Sequence, residues 1–325
     1  MTDIDELLSI RAAELYYEED KTQDEIGTIL RLTRWKVGRL LAQAKAKGFI
    51  RIEIVHPRAR RLGLERQLRE ATGLADVVVV STAGVVDELD LQKRTAQAAA
   101  DYLTALRPVP RTLGISWGRT LHDISLQLKP GWASGVNVVQ INGGVSLNAR
   151  PGTAAATAVS IAQKGAGQFT LLPSPAILER VETKQAIASD RSVAGVLEMG
   201  AAASAYLFSA GQADEDSAHV DSGYLTPEQI AELVRKGAVG DVVGRFIDSD
   251  GQIVDPALDE RTFGISLDQL RRSRTAIAVI GGPRKHAIAR SVVLSGLCTV
   301  LITEDRKSTR LNSSHTMTSR MPSSA

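Results

Sequence analysis

Four short stretches of the chain carry groups suited to holding an anion or a polyhydroxylated ligand. The first is Gly114-Ile115-Ser116-Trp117-Gly118-Arg119-Thr120. It leaves a strand-like run and opens a helical one. Free N–H groups at a helix start, the hydroxyls of Ser116 and Thr120, Gly118 and the cation of Arg119 make an anion cradle. The alternative is an ordinary strand-to-helix turn. No GK[ST] follows, so nucleotide hydrolysis of the Walker type has no support. The second stretch is Asn142-Gly143-Gly144-Val145-Ser146, with Arg150 shortly after. Paired glycines let a backbone approach a ligand closely, or simply make a tight turn. The third, Gly281-Gly282-Pro283-Arg284-Lys285, sets two cations beside two glycines after an apolar run, which suits a phosphate. The fourth, spanning 240–248, offers Asp241 as an acceptor for sugar hydroxyls, or is a turn.

Acid–base catalysis has weaker candidates. The five histidines are His56, His122, His219, His286 and His315, and none has a sequence spacing that pairs it with a carboxylate. His122 follows the first loop and is the best of them. A lone Cys298 supports neither a disulfide framework nor a Cys-based metal site. No catalytic residue, metal or cofactor is expected.

A second kind of chemistry sits near the N-terminus. Residues 1–30 hold nine acids and two bases, whereas residues 31–69 hold twelve bases and two acids. A surplus of ten positive charges within a chain of net charge +2 marks a nucleic-acid face, or else a solvated basic helix face. The elements beneath it favour the first. Residues 4–18 have helical apolar spacing. Thr22 and Glu25 form a capping box for a short helix from Gln23 to Leu30. Thr33 caps a third helix that ends at Gly48, and FIRIEIV (49–55) alternates as a strand. Helix, short helix, turn, helix, strand is the order of a winged helix-turn-helix, whose second motif helix enters the major groove by its N-terminal end. The contact residues are then Thr33, Arg34, Trp35, Lys36 and Arg39, with Thr22 and Gln23 beside a phosphate, and Val37, Leu40 and Leu41 inside. Trp35 either covers a thymine methyl or packs, and packing is the first expectation. A three-helix scaffold that binds no DNA is the other reading.

The elements that must position the four loops follow. Residues 58–70 read as a basic amphipathic linker helix, with Leu62, Leu64 and Leu68 packing between subunits or domains. Beyond Ala75, apolar strand-like runs alternate with helical ones. That pattern means an α/β fold with an open, mostly parallel sheet. Such sheets bind ligands at the carboxyl ends of their strands, where the loops fall. At 43% hydrophobic with 4% aromatic residues, the core is built from aliphatics. No apolar run approaches the ~20 residues of a membrane span, and no signal pattern opens the chain. A cytoplasmic protein without a membrane partner is expected.

Seven pieces together resemble the SorC-type, sugar-binding bacterial transcriptional regulators, the deoxyribonucleoside-regulator kind in particular. They are AAELYYEEDKTQDEIG, VGRLLAQAKAKGFIRIEI, LGISWGRTL, VVQINGGVS, GAVGDVVGRFIDSDG, FGISLDQLR and VIGGPRKHAIARSVVLSG. They run in the family's order over residues 9–305. The resemblance implies an effector domain similar to sugar-phosphate isomerases and deaminases, phosphorylated sugars as effectors, and a homodimer or homotetramer on double-stranded operator DNA. It also implies phosphate contacts at Ser116, Gly118, Arg119, Thr120 and Lys285, with Gly143, Gly144, Arg150 and Asp241 lining the rest. The chain departs from relatives at Arg119, where a small or hydroxyl residue is usual. Asn142 stands in a loop without lysine, which argues for non-covalent binding there.

The domains expected are a winged helix-turn-helix at 1–56, a linker helix at 57–72, an effector domain at 73–306 and a disordered tail at 307–325. Ser and Thr make up nine of that tail's nineteen residues, and it reads as non-native, like read-through into foreign sequence. The expected function is sequence-specific repression of a sugar catabolic operon. The competing readings are a sugar-phosphate isomerase or deaminase with a DNA-binding head, and a constitutive architectural DNA-binding protein.

Overall fold

The computed structural model describes residues 3–50, 59–144 and 154–305. The strand expected at 49–55, Arg150 and the 307–325 tail fall wholly or largely outside them. The chain divides into two compact units, Met1–Ile54 and Val55–Ala325.

The first unit holds α1 (Asp3–Tyr17), α2 (Gln23–Leu30) and α3 (Arg34–Ala46). Thr22 caps α2 with its side chain on the Glu25 N–H, and Glu25 reaches back to the Thr22 N–H. That reciprocal pair satisfies two of the donors a helix start leaves open. Arg31 turns left-handed at φ 56°, and the Leu32 N–H returns to the Gly27 carbonyl at 2.8 Å. A methyl on Gly27 would stand 2.7 Å from the Leu32 oxygen, so the turn between α2 and α3 requires glycine there. Ala12, Leu15, Ile26, Val37, Leu40 and Ala44 close the core.

The second unit begins with α4 (Leu62–Thr72), then β1 (Asp76–Val80), α5 (Glu88–Ala105), β2 (Thr112–Ile115), α6 (Arg119–Gln127), β3 (Asn137–Gln140), α7 (Ala154–Lys164) and β4 (Gln168–Thr170). It continues through α8 (Val181–Ser189), α9 (Arg191–Ala201), β5 (Ala205–Phe208), β6 (Ala210–Gly211), α10 (Ala218–Asp221), α11 (Pro227–Arg235), β7 (Gly240–Val242) and β8 (Arg245–Ile247). It ends with α12 (Pro256–Arg261), α13 (Leu267–Arg271), β9 (Ala276–Val279), a 3₁₀ turn at Pro283–Lys285, α14 (His286–Leu294) and β10 (Val300–Glu304).

Seven strands form one sheet in the order β1-β10-β9-β5-β2-β3-β4, and every pairing is parallel. Both faces are covered. Val77, Val139, Tyr206, Ala278 and Leu301 pack on one side, and Val78, Val138, Leu207, Ile277 and Ile302 on the other. Alternate residues of one strand therefore enter different cores, which is why these runs are apolar without alternation. From β2 the chain winds outward to β3 and β4, then crosses back to β5 on the opposite side of β2. That reversal is a topological switch point.

Two differences from the sequence reading stand out. The linker helix packs on this sheet: Leu68 is buried and Leu64 packs in the same core, while Leu62 is exposed. The segment around Asp241 is a β-hairpin, not a free turn. Residues 243 and 244 both have positive φ, 49° and 87°, as a tight hairpin turn requires.

The free edge of β1 is protected locally. Arg61 N–H donates to Val79 O and Ser81 N–H to Ala59 O. Glu65 fixes the arrangement. Its carboxylate is 5% exposed and accepts from Arg60 Nε and Nη2 at 2.8 Å each and from the Val79 N–H at 2.9 Å. Glu65→Ala leaves a buried N–H unpaired and frees α4 from β1. The expected loss is about 2 kcal/mol of unfolding free energy, measured by chemical denaturation of the full chain.

Candidate functional site

The carboxyl ends of β2, β3, β5 and β9 open on one cavity of about 290 Å³. Ser116, Gly118, Arg119 and Thr120 enter it after β2, Asn142 after β3, Ser209 after β5, and Gly281 and Lys285 after β9. Asp241 on β7 and Glu88 and Gln92 on α5 complete the wall. All four sequence stretches thus meet in one place, the second through Asn142 and the fourth through Asp241. Gly143 and Gly144 do not line it. A methyl on Gly143 would stand 2.1 Å from the Pro175 oxygen, and the Gly144 N–H donates to Ser174 O at 2.8 Å. Their work is close backbone packing, and Asn142 presents its side chain to the cavity instead. Arg150 lies outside the described residues.

The cavity is polar and unevenly satisfied. The Ser116 hydroxyl and the Asn142 side-chain oxygen Oδ1 are buried without a hydrogen-bond partner. Buried polar groups normally find partners, so such atoms mark a place for a ligand or water. Gly118, at φ 134°, starts α6 with no side chain capping its first N–H groups, which leaves a helix start facing the cavity. Arg119 and Lys285 make no ion pair within 4.0 Å among the described residues. By contrast Arg284 is held at the mouth by Asp214 at 3.5 Å and Asp216 at 3.0 Å. Desolvation pulls Lys285 down to about 8, with Arg119 repelling it and Asp241, Glu88 and Glu304 partly compensating.

Asp241 is buried, and its Oδ2 accepts from the Gly244 N–H at 3.0 Å. His219 Nε2 lies 3.5 Å from the same oxygen. The sequence spacing of His219 and Asp241 suggested no such pair; the hairpin of β7 and β8 and the short helix α10, which carries His219, create it. Ser209, Gln92 and Glu88 were also missed. Ser209 follows β5 as Ser116 follows β2, and that register was legible in LFSAG. The α5 residues carry no local signal. His122, the favoured sequence histidine, is on α6 and does not line the cavity.

A second cavity of about 260 Å³ lies between α5 and β1. Its cations are consumed. Arg60 serves Glu65, and Arg94 donates to the carbonyls of Ala83 and Gly84 and pairs with Asp90. Among the described residues it offers no free cation.

On the head, Gln23, Arg34, Trp35, Gly38 and Arg39 line one shallow groove. Trp35 is not packed; it is 74% exposed, with the Arg39 guanidinium 5.1 Å from its ring centre. The physical reason is register: Val37, Leu40, Leu41 and Ala44 already fill the inward stripe of α3. Lys36 leans the other way, to Asp5 at 3.2 Å. Arg34 is exposed, with Asp24 at 3.8 Å. The Thr22 and Thr33 hydroxyls are engaged as helix caps.

A helix-turn-helix with exposed cations on its second motif helix, ahead of a parallel sheet with a polar switch-point cavity, defines a DNA-binding transcriptional regulator with a ligand-sensing domain. Residues 56–311 match the family described as "Putative sugar-binding domain". The deoxyribonucleoside regulator of Bacillus subtilis (strain 168) is 33% identical over 301 residues, covering 91% of this chain and 94% of its own. The erythritol catabolism regulatory protein of Brucella abortus (strain 2308) is 28% identical, covering 94% of this chain and 96% of its own. The crystal structure of the full-length sorbitol operon regulator SorC from Klebsiella pneumoniae superposes with a TM-score of 0.72 at 26% identity, covering 96% and 99% of the two chains. The chain belongs to this SorC-type family of sugar-binding transcriptional regulators.

Gly211 bears directly on the cavity wall. A methyl there would stand 1.9 Å from Asp241 Oδ1. Gly211→Ala is expected to turn the Asp241 carboxylate away from its place at a cost of about 1–3 kcal/mol in stability. A crystal structure and a denaturation curve of the variant check both parts.

Proposed function

We propose that this regulator represses a sugar catabolic operon and is controlled by a phosphorylated sugar held non-covalently in the switch-point cavity. The observation that carries the reading is the pair of cations without ion pairs, Arg119 and Lys285, beside the unpartnered Ser116 hydroxyl and the α6 start. A phosphate supplies the negative charge and the acceptors these groups lack. Asn142, Asp241 and Gln92 suit the hydroxyls of the sugar. The relatives' names, which refer to a deoxyribonucleoside, erythritol and sorbitol, agree with a ligand of that class. Binding as a homodimer or homotetramer to operator DNA completes the proposal.

The effector half is tested by thermal shift with a panel of phosphorylated sugars. A binder at about one hundred times its Kd stabilises the folded chain by about 2.7 kcal/mol; no shift with any of them overturns this half. Lys285 adds a pH signature. Its folded value of about 8 lies below the ordinary lysine value of 10.5. The unfolded chain therefore holds the proton more tightly, and stability from this group rises as pH climbs through that window. Anion binding runs the other way, because a bound phosphate favours the ammonium. Phosphate affinity is expected to fall as pH rises through about 8, and Lys285→Arg to remove most of the fall, because guanidinium stays charged. Calorimetric titration on either side of about pH 8 reads it.

The DNA half rests on the groove of α3. Arg34→Ala and Lys36→Ala are expected to weaken operator binding and leave sugar-phosphate binding intact. The effect of Lys36 is the smaller, since Asp5 already neutralises it. Removing one phosphate contact lowers the salt slope by about one. Unchanged affinity in both variants, measured by fluorescence anisotropy on operator DNA, moves the reading surface away from α3.

A further inference from the structure

We propose that His219 is a positioning residue for ligand binding: it orients the Asp241 carboxylate, so that the pair recognises a donor hydroxyl on a polyhydroxylated ligand. This deepens the reading of the cavity as a sugar-phosphate site and rests on it.

His219 is 1% exposed, and neither ring nitrogen has a hydrogen-bond partner. Burying an imidazole that way is costly, and a plain core position would carry an apolar side chain instead. The ring is also fixed. Trp117 meets it edge-on with centroids 5.6 Å apart, and Phe246 lies at 5.3 Å on a tilted plane. Trp117 is itself tied down, donating its indole N–H to the Gly143 carbonyl at 2.8 Å. Thus the loop after β2 and the loop after β3 together set where His219 stands.

Its Nε2 is 3.5 Å from Asp241 Oδ2, slightly beyond a good hydrogen bond. That oxygen already accepts from the Gly244 N–H. The other, Oδ1, stands over Gly211 and takes no hydrogen bond among the described residues. One oxygen is therefore anchored and the other is left for a donor. A ligand hydroxyl on Oδ1 turns the carboxylate slightly, and Nε2–H closes onto Oδ2. The bond fixes the Nε2–H tautomer. A carboxylate held from two sides discriminates a hydroxyl better than a free one, because a ligand lacking the donor leaves a buried acceptor unpaired.

The test uses the full chain, calorimetry, and the probes ribose 5-phosphate, erythrose 4-phosphate, glucose 6-phosphate and inorganic phosphate. His219→Phe keeps the aromatic packing and removes the donor; His219→Gln keeps a donor near Nε2. Expected is a roughly ten-fold loss of sugar-phosphate affinity in His219→Phe, inorganic phosphate affinity unchanged, and recovery in His219→Gln. Equal affinity in His219→Phe and the unsubstituted chain overturns the proposal, as does an equal loss for every probe or a His219→Gln no better than His219→Phe. Nitrogen-15 histidine spectra of the unsubstituted chain decide the matter even if a variant does not fold. The His219 resonances shift on saturation with a binding sugar phosphate, and unmoved resonances overturn the proposal. If no sugar phosphate binds more tightly than inorganic phosphate, hydroxyl recognition fails while the phosphate site stands. If no probe binds at all, the reading of the cavity fails first and this one with it.

Discussion

All seven strands of the large sheet run the same way, and the site depends on that single constraint. Parallel strands send every carboxyl end to one edge. Helices then cover both faces, and the loops have nowhere else to open. The crossing from β4 back to β5 beside β2 parts two of these loops and leaves a cavity between them. Ser116 and Ser209, far apart in the chain, face it from neighbouring strands for this reason. The glycines at 114 and 143 serve the same geometry. A methyl at 114 would collide at 2.7 Å with the side chains of both Ile141 and Tyr206, so these two side chains close over β2 only because none stands at that position.

Electrostatics then divides the work of the charged residues. Several arginines of the domain are spent on structure: Arg60 on Glu65 and Arg94 on carbonyl oxygens in the second cavity, and Arg284 on Asp214 and Asp216 at the mouth of the site. Arg119 and Lys285 remain, and desolvation makes the Lys285 charge expensive in the cavity. A site built this way gains most from an anion. The gain arises because the charge was left uncompensated on folding, which links stability of the domain to occupancy. On the head the division is similar. Lys36 braces α3 against α1 through Asp5, while Arg34, Trp35 and Arg39 stand outward.

What sequence alone could determine was local. The capping box at Thr22, the N-cap at Thr33 and the 3.6-residue stripe of α3 follow from side-chain and backbone chemistry within a few residues. The doubly buried strands were legible too, because two cores demand apolar residues at successive positions. The three anion-like loops were legible for the same reason: each ends a strand and begins a turn or helix. Trp35 was misjudged because a stripe only says which positions are inside; three aliphatics and an alanine had already filled it.

Tertiary structure decided the rest. Whether Gly143 and Gly144 face a ligand or another backbone depends on Pro175 and Ser174, some thirty residues on. The pairing of His219 with Asp241, over twenty residues apart, depends on a hairpin whose turn is itself set by two positive-φ residues. Sequence named the groups able to hold an anion. Only the packing of loops from four parallel strands fixed which of those groups would be left without a partner, because satisfaction of a buried charge or dipole is a property of its neighbours in space.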